Sequence, residues 1–522
     1  MSDVTAAGSH APAGAEERTG SDRASMYDVS QREDVHFLHK HAVGLLGVLF
    51  LTVTGSAPIS AMLFNVPISV GFGNGIGTPG GFIFATVVLA IFSVGYCTMA
   101  GKITAAGGFY SFISHGLGRE LGLGTAFASV VAYSVFEASL AGGFAYFLNL
   151  KLAQHGVQVR WFWLALGMVA LIAVLTYFDI RLSARVLGLA LVAEVIILLV
   201  FDGGIFFQSG NHVAAAAINP VNAFKGFTGG GKLAVGGAGV GIFFAFWSWV
   251  GFEMAPNYAE ESKDPKRIVP LSMYISVIGL GIFYTLTAWA VISGYSSINA
   301  AANVAQNNSA NFFFIPAQAF LGTWAKDILS YLIITGSFAC GMAFHNTAAR
   351  YFYSLGRERV LPQALGRTHD RWKSPHIATL TQTAIAALII LLFALFTGTH
   401  NPNSEAYLQL YGLMAVMGVI IILAVQAIVS IAIWNYFRTQ HPDEQHLWKT
   451  VIAPVISFLG QAVVLYLLFK NLNFLGSGFH YANYLGPIDA VVFLVGLAGA
   501  FYWKQRDRER FDAVGRLIND GI

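Results

Sequence analysis

Charge and cysteine are both scarce in this sequence. Charged residues make up only 11% of its 522 residues, whereas a soluble domain carries roughly 25%. The two cysteines, Cys97 and Cys340, lie in apolar segments outside any pairing motif, so neither a disulfide framework nor a zinc site is expected. Hydrophobic residues account for 56% of the chain. The composition therefore excludes an ordinary soluble protein and predicts an integral membrane protein.

Long apolar runs make up most of the sequence. Runs of about 18 residues or more, each able to cross the hydrocarbon layer as a helix, recur along most of the chain. We expect an all-α membrane protein whose twelve transmembrane helices, spans 1 to 12, cover residues 42–69, 80–101, 121–149, 161–178, 183–208, 237–259, 270–294, 326–349, 377–398, 405–437, 448–469 and 485–503.

The two ends of the chain are polar. Residues 1–40 are rich in Ala, Ser and Gly and contain no apolar signal-peptide region, which is typical of a disordered tail. We expect a disordered cytoplasmic tail over 1–40, a transmembrane domain over 41–505 and a second cytoplasmic tail over 506–522.

The basic residues predict the orientation. With both termini in the cytoplasm, all but a few of the 30 Lys and Arg residues fall on the inner side, as the positive-inside rule requires. The exceptions are Lys151, Arg160, Lys225, Lys232, Lys326 and Lys470. The net charge of +3 therefore reflects topology, and no nucleic-acid partner is expected. We expect a multi-pass protein of the cytoplasmic membrane.

Two spans are interrupted at corresponding positions. Span 1 contains "TGSAPIS", Thr54 to Ser60, and span 6 contains "FWSWVGFEMAP", Phe246 to Pro256. A glycine-rich joint over 227–241 separates two halves. Glycine and proline are common in membrane helices and can serve packing alone, but paired interruptions five spans apart indicate an inverted-repeat transporter with its site where the breaks meet. We expect repeat one over 42–208 and repeat two over 237–437, with two extra helices over 448–503.

Four stretches carry a resemblance to a known family. They are "KITAAGGFYSFISHGLGRELG" (102–122), "FAFWSWVGFEMAPNYAEESKDPKRIVP" (244–270), "ARYFYSLGRERVLPQALGRTH" (349–369) and "TGSAPIS" itself. Together they resemble the amino acid–polyamine–organocation superfamily, the bacterial amino acid permeases. The resemblance implies the leucine-transporter fold: two inverted repeats of five helices, two peripheral helices, and alternating access to a central site. It also implies that the loop after span 8 contributes to an inner gate.

The resemblance also implies a substrate site at the two breaks. Family members hold an amino acid with the exposed N–H and carbonyl groups of the broken helices. The matching positions are Gly55, Ser56 and Ala57 in span 1 and Phe246, Trp247 and Ser248 in span 6. Trp247 matches the tryptophan beside the substrate of the related arginine/agmatine antiporter, where an indole face can hold a cation; the alternative is that it only packs.

The sequence departs from the family pattern at the first break. Ala57 replaces the second glycine of a Gly-Ser-Gly motif, and Pro58 follows it. Proline has no N–H group, so at least one donor to a substrate carboxylate is missing.

Three carboxylates within predicted spans are candidates for ion coupling: Glu137, Glu194 and Glu253. No Lys or Arg lies at comparable depth, and a carboxylate without an ionic partner in hydrocarbon either takes up a proton or binds a cation. Glu137 can instead be a neutral hydrogen-bonding residue; if it is ionised, we expect it to favour an amine-bearing substrate. His345 in span 8 is predicted to make a local hydrogen bond, with a proton relay as the alternative.

Glu194 is the most informative of these acids. "SARVLGLALVAE", Ser183 to Glu194, resembles a family stretch that ends in a lysine. In some proton-coupled members that lysine replaces a sodium ion and carries the proton. Because this sequence has an acid there, the lysine mechanism cannot be carried over. We expect Glu194 to carry the proton itself, with sodium binding as the alternative. Glu253 matches a glutamate of the family's sixth helix and is the second candidate.

We therefore expect a secondary active importer of an amino acid, driven by the proton motive force and without a cofactor or resident metal. A polyamine or organic-amine permease and an amino acid exchanger are the alternatives within transport. A channel or membrane sensor is the alternative outside it, but the sequence contains neither repeated filter elements nor an attached soluble domain. No enzyme is expected, because nucleotide-binding loops and nucleophile motifs are missing. Expected partners are a small-molecule substrate and the lipid bilayer, and nothing in the sequence specifies an oligomeric state.

Overall fold

The computed structural model describes residues 38–104, 107–178, 180–208, 214–226, 237–396, 409–476 and 480–515. Over these residues the regular elements are helical, and 11 helices are long and apolar enough to cross a membrane. Residues 1–37 of the predicted first tail, 227–236 of the glycine-rich joint and 516–522 of the second tail lie outside the described residues.

A helix lies at each of the twelve predicted spans. In chain order these helices are Leu45–Phe72, Gly75–Ala100, Arg119–Gln154, Trp161–Tyr177, Ile180–Gln208, Gly237–Glu261, Pro265–Ser293, Thr323–Arg357, His376–Phe396, Gln409–Thr439, Leu447–Lys470 and Tyr481–Arg506. The fourth has only 17 residues, or roughly 25 Å of helix, which is the shortest length that crosses hydrocarbon.

Shorter helices cover the two ends of the bundle. Gly108–Leu117 joins spans 2 and 3, and Arg508–Ala513 follows span 12. Ile298–Asn307 and Phe314–Leu321 join spans 7 and 8. The helix Ile298–Asn307 packs on the end of span 1, where Gln306 donates to the carbonyl of Gly71.

Most of the basic residues lie on one face of the bundle, which we call the basic face. Contacts there join the start of span 1 to the end of span 6 and to the start of span 5, the end of span 2 to the segment after span 10, and the start of span 3 to the segment after span 12. The contacts are Val43 N to Glu261 O at 2.9 Å, Lys102 to Glu444, Arg119 to Asp512, and Arg181 to His39. Span 1 thus begins at the face where span 6 ends, so the two interrupted helices run antiparallel, as the inverted repeat predicts.

Both interrupted helices break where the sequence predicts. The first helical part of span 1 ends at Val53, Ala57 takes up a left-handed conformation with φ of 43°, and the helix restarts at Pro58. Proline suits this first helical position because its missing N–H would have no partner there. In span 6 the helix ends at Trp247, Gly251 has φ of 120°, and a tighter helix continues over Phe252–Glu261.

The two breaks touch each other. A Cβ atom on Gly251 would lie 2.3 Å from the carbonyl carbon of Gly55, so only glycine fits this crossing. Nearby, the Ser56 hydroxyl donates to the carbonyl of Trp249 at 3.3 Å, and the Tyr284 hydroxyl donates to the carbonyl of Ser56 at 2.9 Å. Backbone groups released by the breaks are thereby satisfied across the crossing, as a hydrocarbon environment requires.

Two buried ion pairs fasten span 6 to span 8 at the basic face. Arg350 donates to Glu261 at 2.6 Å and stacks on the ring of Tyr258, while Arg357 pairs with Glu260 at 2.5 Å. Both arginines are buried. The sequence did not reveal these pairs, because the glutamate partners lie about 90 positions away in sequence and only the fold brings them together.

Residues 508–515 dock onto the same face. The Tyr110 hydroxyl donates to the buried Glu358 carboxylate and accepts the N–H of Gly515. Phe511 and Val514 are buried beside it. Burial raises the pKa of the Glu358 carboxyl well above its usual value.

The crossing of the breaks predicts the effect of one methyl group. In Gly251→Ala the Cβ atom meets the backbone of Gly55 and the residue keeps an unfavourable positive φ. We expect a loss of about 1–3 kcal/mol in stability, seen as a lower thermal unfolding temperature in detergent. Gly279→Ala on span 7 is the matched control, because its Cβ meets nothing within 4 Å. A wild-type unfolding temperature for Gly251→Ala would contradict the close crossing.

Candidate functional site

A cavity lies where the two breaks cross. It has about 370 Å³ of empty space, including the part open to solvent. Spans 1, 3, 6, 8 and 10 line it. The lining residues are Gly55, Ser56, Ala57, Ser60, Ala61, Asn65, Phe136, Ser139, Leu140, Trp247, Ser248, Val250, Cys340, Phe344, Tyr411 and Ala415.

Most of the residues predicted to bind substrate meet at this cavity. Gly55, Ser56 and Ala57 come from the first break, and Trp247 and Ser248 from the second. Phe246, the sixth predicted residue, is not part of the lining; its buried ring packs edge-on against Phe84. The helix turns by about 100° per residue, so Phe246 faces away from the side that Trp247 presents.

Aromatic rings form two walls of the cavity. Trp247 stacks between Phe244, at 5.1 Å, and Tyr411, at 6.0 Å. Phe136 and Phe344 stack on each other at 4.7 Å. These walls give the cavity an apolar character and place an indole ring at its edge, as the resemblance implies. Whether Trp247 contacts the substrate stays a prediction.

The backbone N–H groups at the first break are largely used within the protein. Ser56 donates to the carbonyl of Val53 at 3.1 Å, and Ala57 to that of Thr54 at 3.0 Å. Ile59 donates to the Glu194 carboxylate at 3.2 Å. With Pro58 lacking an N–H, the break offers a carboxylate fewer backbone donors than the family pattern provides.

Some polar groups of the lining are able to form further hydrogen bonds. In the described part of the chain, the Ser60 hydroxyl and the Asn65 side-chain oxygen have no hydrogen-bond partner. The carbonyl of Gly55 faces the Cys340 thiol at 3.3 Å, a weak contact. These groups supply acceptors for an ammonium group and one hydroxyl donor for a carboxylate. The lining contains no charged side chain.

Glu194 lies directly behind the first break. It is buried on span 5, and one carboxylate oxygen accepts the N–H of Ile59, the first amide of the restarted helix. A helix N-terminus favours a negative charge. The other oxygen has no partner among the described residues, and a Cβ on Gly336 would lie 2.8 Å from it. Glu194 therefore joins span 5 to the break while keeping one oxygen unbonded.

Glu253 lies directly behind the second break. Its carboxylate accepts the N–H of Gly251 at 2.8 Å and the hydroxyl of Tyr133 on span 3 at 3.2 Å. Each break thus has its own buried glutamate, and neither acid lines the cavity. The roles in coupling that the sequence predicts for Glu194 and Glu253 stay predictions.

Glu137 has a partner that the sequence did not reveal. Its carboxylate bonds to His345 Nδ1 at 3.0 Å and accepts from Gln382 at 2.7 Å, and Ser134 donates to Gln382 at 2.7 Å. His345 is fully buried and bonds across spans, so the prediction of a local hydrogen bond for it was wrong. Glu137 is not part of the cavity lining, and the bias toward an amine that the sequence predicts for an ionised Glu137 stays a prediction.

Several site residues escaped the sequence prediction. Asn65 and Tyr411 line the cavity but match no motif, and only the fold brings Tyr411 to the break. Ser60 also lines the cavity; it ends the stretch "TGSAPIS" but was not predicted to bind substrate. Asp202 and Asp489 are further buried acids within spans. Both interrupt apolar runs and could have been found as charged residues in a predicted span.

The comparisons with known proteins agree with this geometry. A family model for amino acid permeases matches residues 43–495. The branched-chain amino acid permease BcaP of Bacillus subtilis is 23% identical over 469 residues, which cover 87% of this chain and 90% of that protein. BcaP of Lactococcus lactis is 23% identical over 88% of this chain and 94% of its own. The low-affinity putrescine importer PlaP of Escherichia coli is 22% identical over 60% of this chain and 66% of its own.

The relatives are transporters of amino acids or amines, and the family match covers most of the chain. The helical architecture with its paired breaks is the one that the four motifs imply. The chain is therefore a multi-pass membrane permease, and it belongs to the amino acid permease family of the amino acid–polyamine–organocation superfamily.

Proposed function

We propose that this permease carries a small amino acid with an apolar side chain, imported together with protons by alternating access. The observation that carries the proposal is the uncharged, aromatic-walled cavity at the crossing of two antiparallel helix breaks. A zwitterion has no net charge, so it needs paired acceptors and donors and no counter-ion. The branched-chain permeases among the relatives, which match almost full length, also support an apolar amino acid.

The substrate groups have distinct positions in this proposal. The ammonium group meets the Gly55 carbonyl and the Asn65 side-chain oxygen, and the carboxylate meets the Ser60 hydroxyl. The side chain lies between the aromatic walls of Trp247 with Tyr411 and of Phe136 with Phe344. A dication such as putrescine would bring two charges into a cavity without a carboxylate, which carries a large desolvation cost.

Glu194 couples the proton to the substrate site in this proposal. As a carboxylate it holds the N–H of Ile59 and compensates the positive end of the restarted helix. When it takes up a proton, that charge is lost and the hold of span 5 on the break weakens. Protonation thereby changes the equilibrium between the two access states by acting on the segment that carries Gly55 to Ala57. Sodium in place of the proton and exchange in place of import are the competing schemes.

Opening toward the basic face requires span 6 to part from span 8. The pairs Arg350 with Glu261 and Arg357 with Glu260 join these spans in the described structure. We assign the basic face to the cytoplasm, because basic residues concentrate on the inner side of cytoplasmic membranes. The two pairs then act as the inner gate.

A second candidate substrate is a small organic monoamine. The observation that favours it is the use of the Ser56, Ala57 and Ile59 N–H groups within the protein, which leaves few donors for a carboxylate. The acceptors for an ammonium group are not affected. The putrescine importer among the relatives shows that the superfamily includes amine carriers.

Uptake into proteoliposomes under an imposed pH gradient tests the transport proposal and separates the two substrates. Leucine and 3-methylbutylamine form a matched pair that differs only in the carboxylate. We expect saturable, gradient-driven leucine uptake that excess leucine inhibits and 3-methylbutylamine does not. Equal inhibition by the amine would favour the second candidate. Conductance without saturable uptake of any amino acid or amine would contradict a transporter.

The coupling role predicts the behaviour of Glu194→Gln. Glutamine keeps an acceptor for the N–H of Ile59 but cannot take up a proton, so we expect substrate counterflow to persist while accumulation driven by the pH gradient is lost. Glu253→Gln is the matched comparison at the other break. Gradient-driven accumulation at the wild-type level in Glu194→Gln would remove Glu194 from the mechanism.

A further inference from the structure

A second buried acid on span 5 has no role in the mechanism above. Asp202 is 5% exposed. One of its carboxylate oxygens accepts the hydroxyl of Thr287 on span 7 at 2.8 Å, and the other has no partner among the described residues. Thr287 is the one hydrogen-bond partner of Asp202 within the described part of the chain.

Asp202 and Glu194 occupy the same buried stripe of span 5. Eight residues separate them, which is roughly 12 Å along the helix, and Asp202 is roughly 9 Å from the end of the span at Gln208. This end lies on the face opposite the basic face. Asp202 thus lies between that face and Glu194 and is the nearer of the two acids to the face.

Span 7 lines the interval between the two acids with hydroxyl groups. Thr287 bonds to Asp202, and Tyr284, one turn earlier on span 7, bonds to the carbonyl of Ser56 beside the break. The Cys340 thiol on span 8 lies on the same break and donates to the carbonyl of Gly55. Polar groups therefore continue from Asp202 to the break that Glu194 holds.

Charged groups on the elements packed against span 5 are engaged elsewhere. At the far end of span 8, Lys326 bonds to Gln318 and Asp327 pairs with Lys151. His345 bonds to Glu137. The remaining basic residues of these elements lie toward the basic face, on spans 5, 7 and 8: Arg181, Arg185, Lys266, Arg267, Arg350 and Arg357. In the described chain no charged side chain bonds to Asp202 or Glu194.

A purely structural role would not require an acid at this position. An asparagine could accept the Thr287 hydroxyl equally well and would avoid the cost of burying an ionisable group without a counter-charge. An acid with an unbonded oxygen is instead suited to accept and release a proton.

We propose that Asp202 is a proton-relay residue between the face opposite the basic face and Glu194. This rests on the proposed proton coupling. A proton from water at that face converts the Asp202 carboxylate to the acid; it then leaves Asp202, which becomes a carboxylate again, and reaches Glu194 through water that enters between spans 5 and 7. No other bond forms or breaks, and no co-reactant is consumed.

Two variants separate the relay from a structural bond, both measured in proteoliposomes for gradient-driven leucine accumulation and for leucine counterflow. Asp202→Asn keeps the acceptor for Thr287 and removes the proton site, so we expect accumulation to be lost and counterflow to persist. Thr287→Val removes the hydrogen bond and keeps the acid, so we expect both activities to persist. Asp202→Glu keeps an acid and should restore accumulation with a displaced pH profile.

One result would overturn the relay. If the wild type accumulates leucine in response to the pH gradient and Asp202→Asn accumulates it equally well, the acid is not needed. A defect in Thr287→Val with none in Asp202→Asn would assign the pair a structural role. If the wild type shows no response to the pH gradient, the proton coupling itself fails. If Asp202→Asn does not reconstitute, Asp202→Ser takes its place. Loss of accumulation in Asp202→Ser, together with restored accumulation in Asp202→Glu, supports the relay. Full accumulation in Asp202→Ser overturns it.

Discussion

The need to satisfy every backbone polar group inside a membrane shapes the centre of this protein. Breaking two helices there releases N–H and carbonyl groups, and the fold satisfies many of them across the crossing. Gly251 lets the breaks touch, Ser56 bonds to span 6, and Tyr284 bonds back to Ser56. The cavity exists because this mutual satisfaction holds both breaks open at the same depth.

The same constraint explains why acids lie behind the breaks. Pro58 begins the restarted helix without an N–H, and the next amide, that of Ile59, is bonded by Glu194. At the second break, the Glu253 carboxylate accepts the N–H of Gly251. A single carboxylate thus serves both as a helix cap and as a group able to change charge. In the proposed mechanism, this arrangement links protonation of Glu194 to the geometry of the substrate site without any direct contact between acid and substrate.

The sequence predicts local features of this protein well and distant pairings poorly. The position of each span, the breaks at Gly55 and Gly251, and the basic face follow from apolar length, Gly and Pro placement, and charge bias. The partnerships of Glu137 with His345 and of Arg350 with Glu261 do not, since no local pattern joins residues 208 and 89 positions apart. The same reason hid Tyr411 and Asn65 from the site. The motif match also does not show that the ring of Phe246 packs on Phe84 outside the lining, and the binding role predicted for Phe246 stays a prediction.

The central claim, that the crossing of the breaks is the substrate site, can be measured directly at Cys340. This thiol lines the cavity beside Gly55, and Cys97, the other cysteine of the sequence, lies on span 2 outside it. In a Cys97→Ser background, the rate of Cys340 modification by a small neutral thiol reagent should fall as a transported substrate is added, with half-protection near its transport KM. A modification rate unchanged by saturating concentrations of a transported substrate would contradict the account.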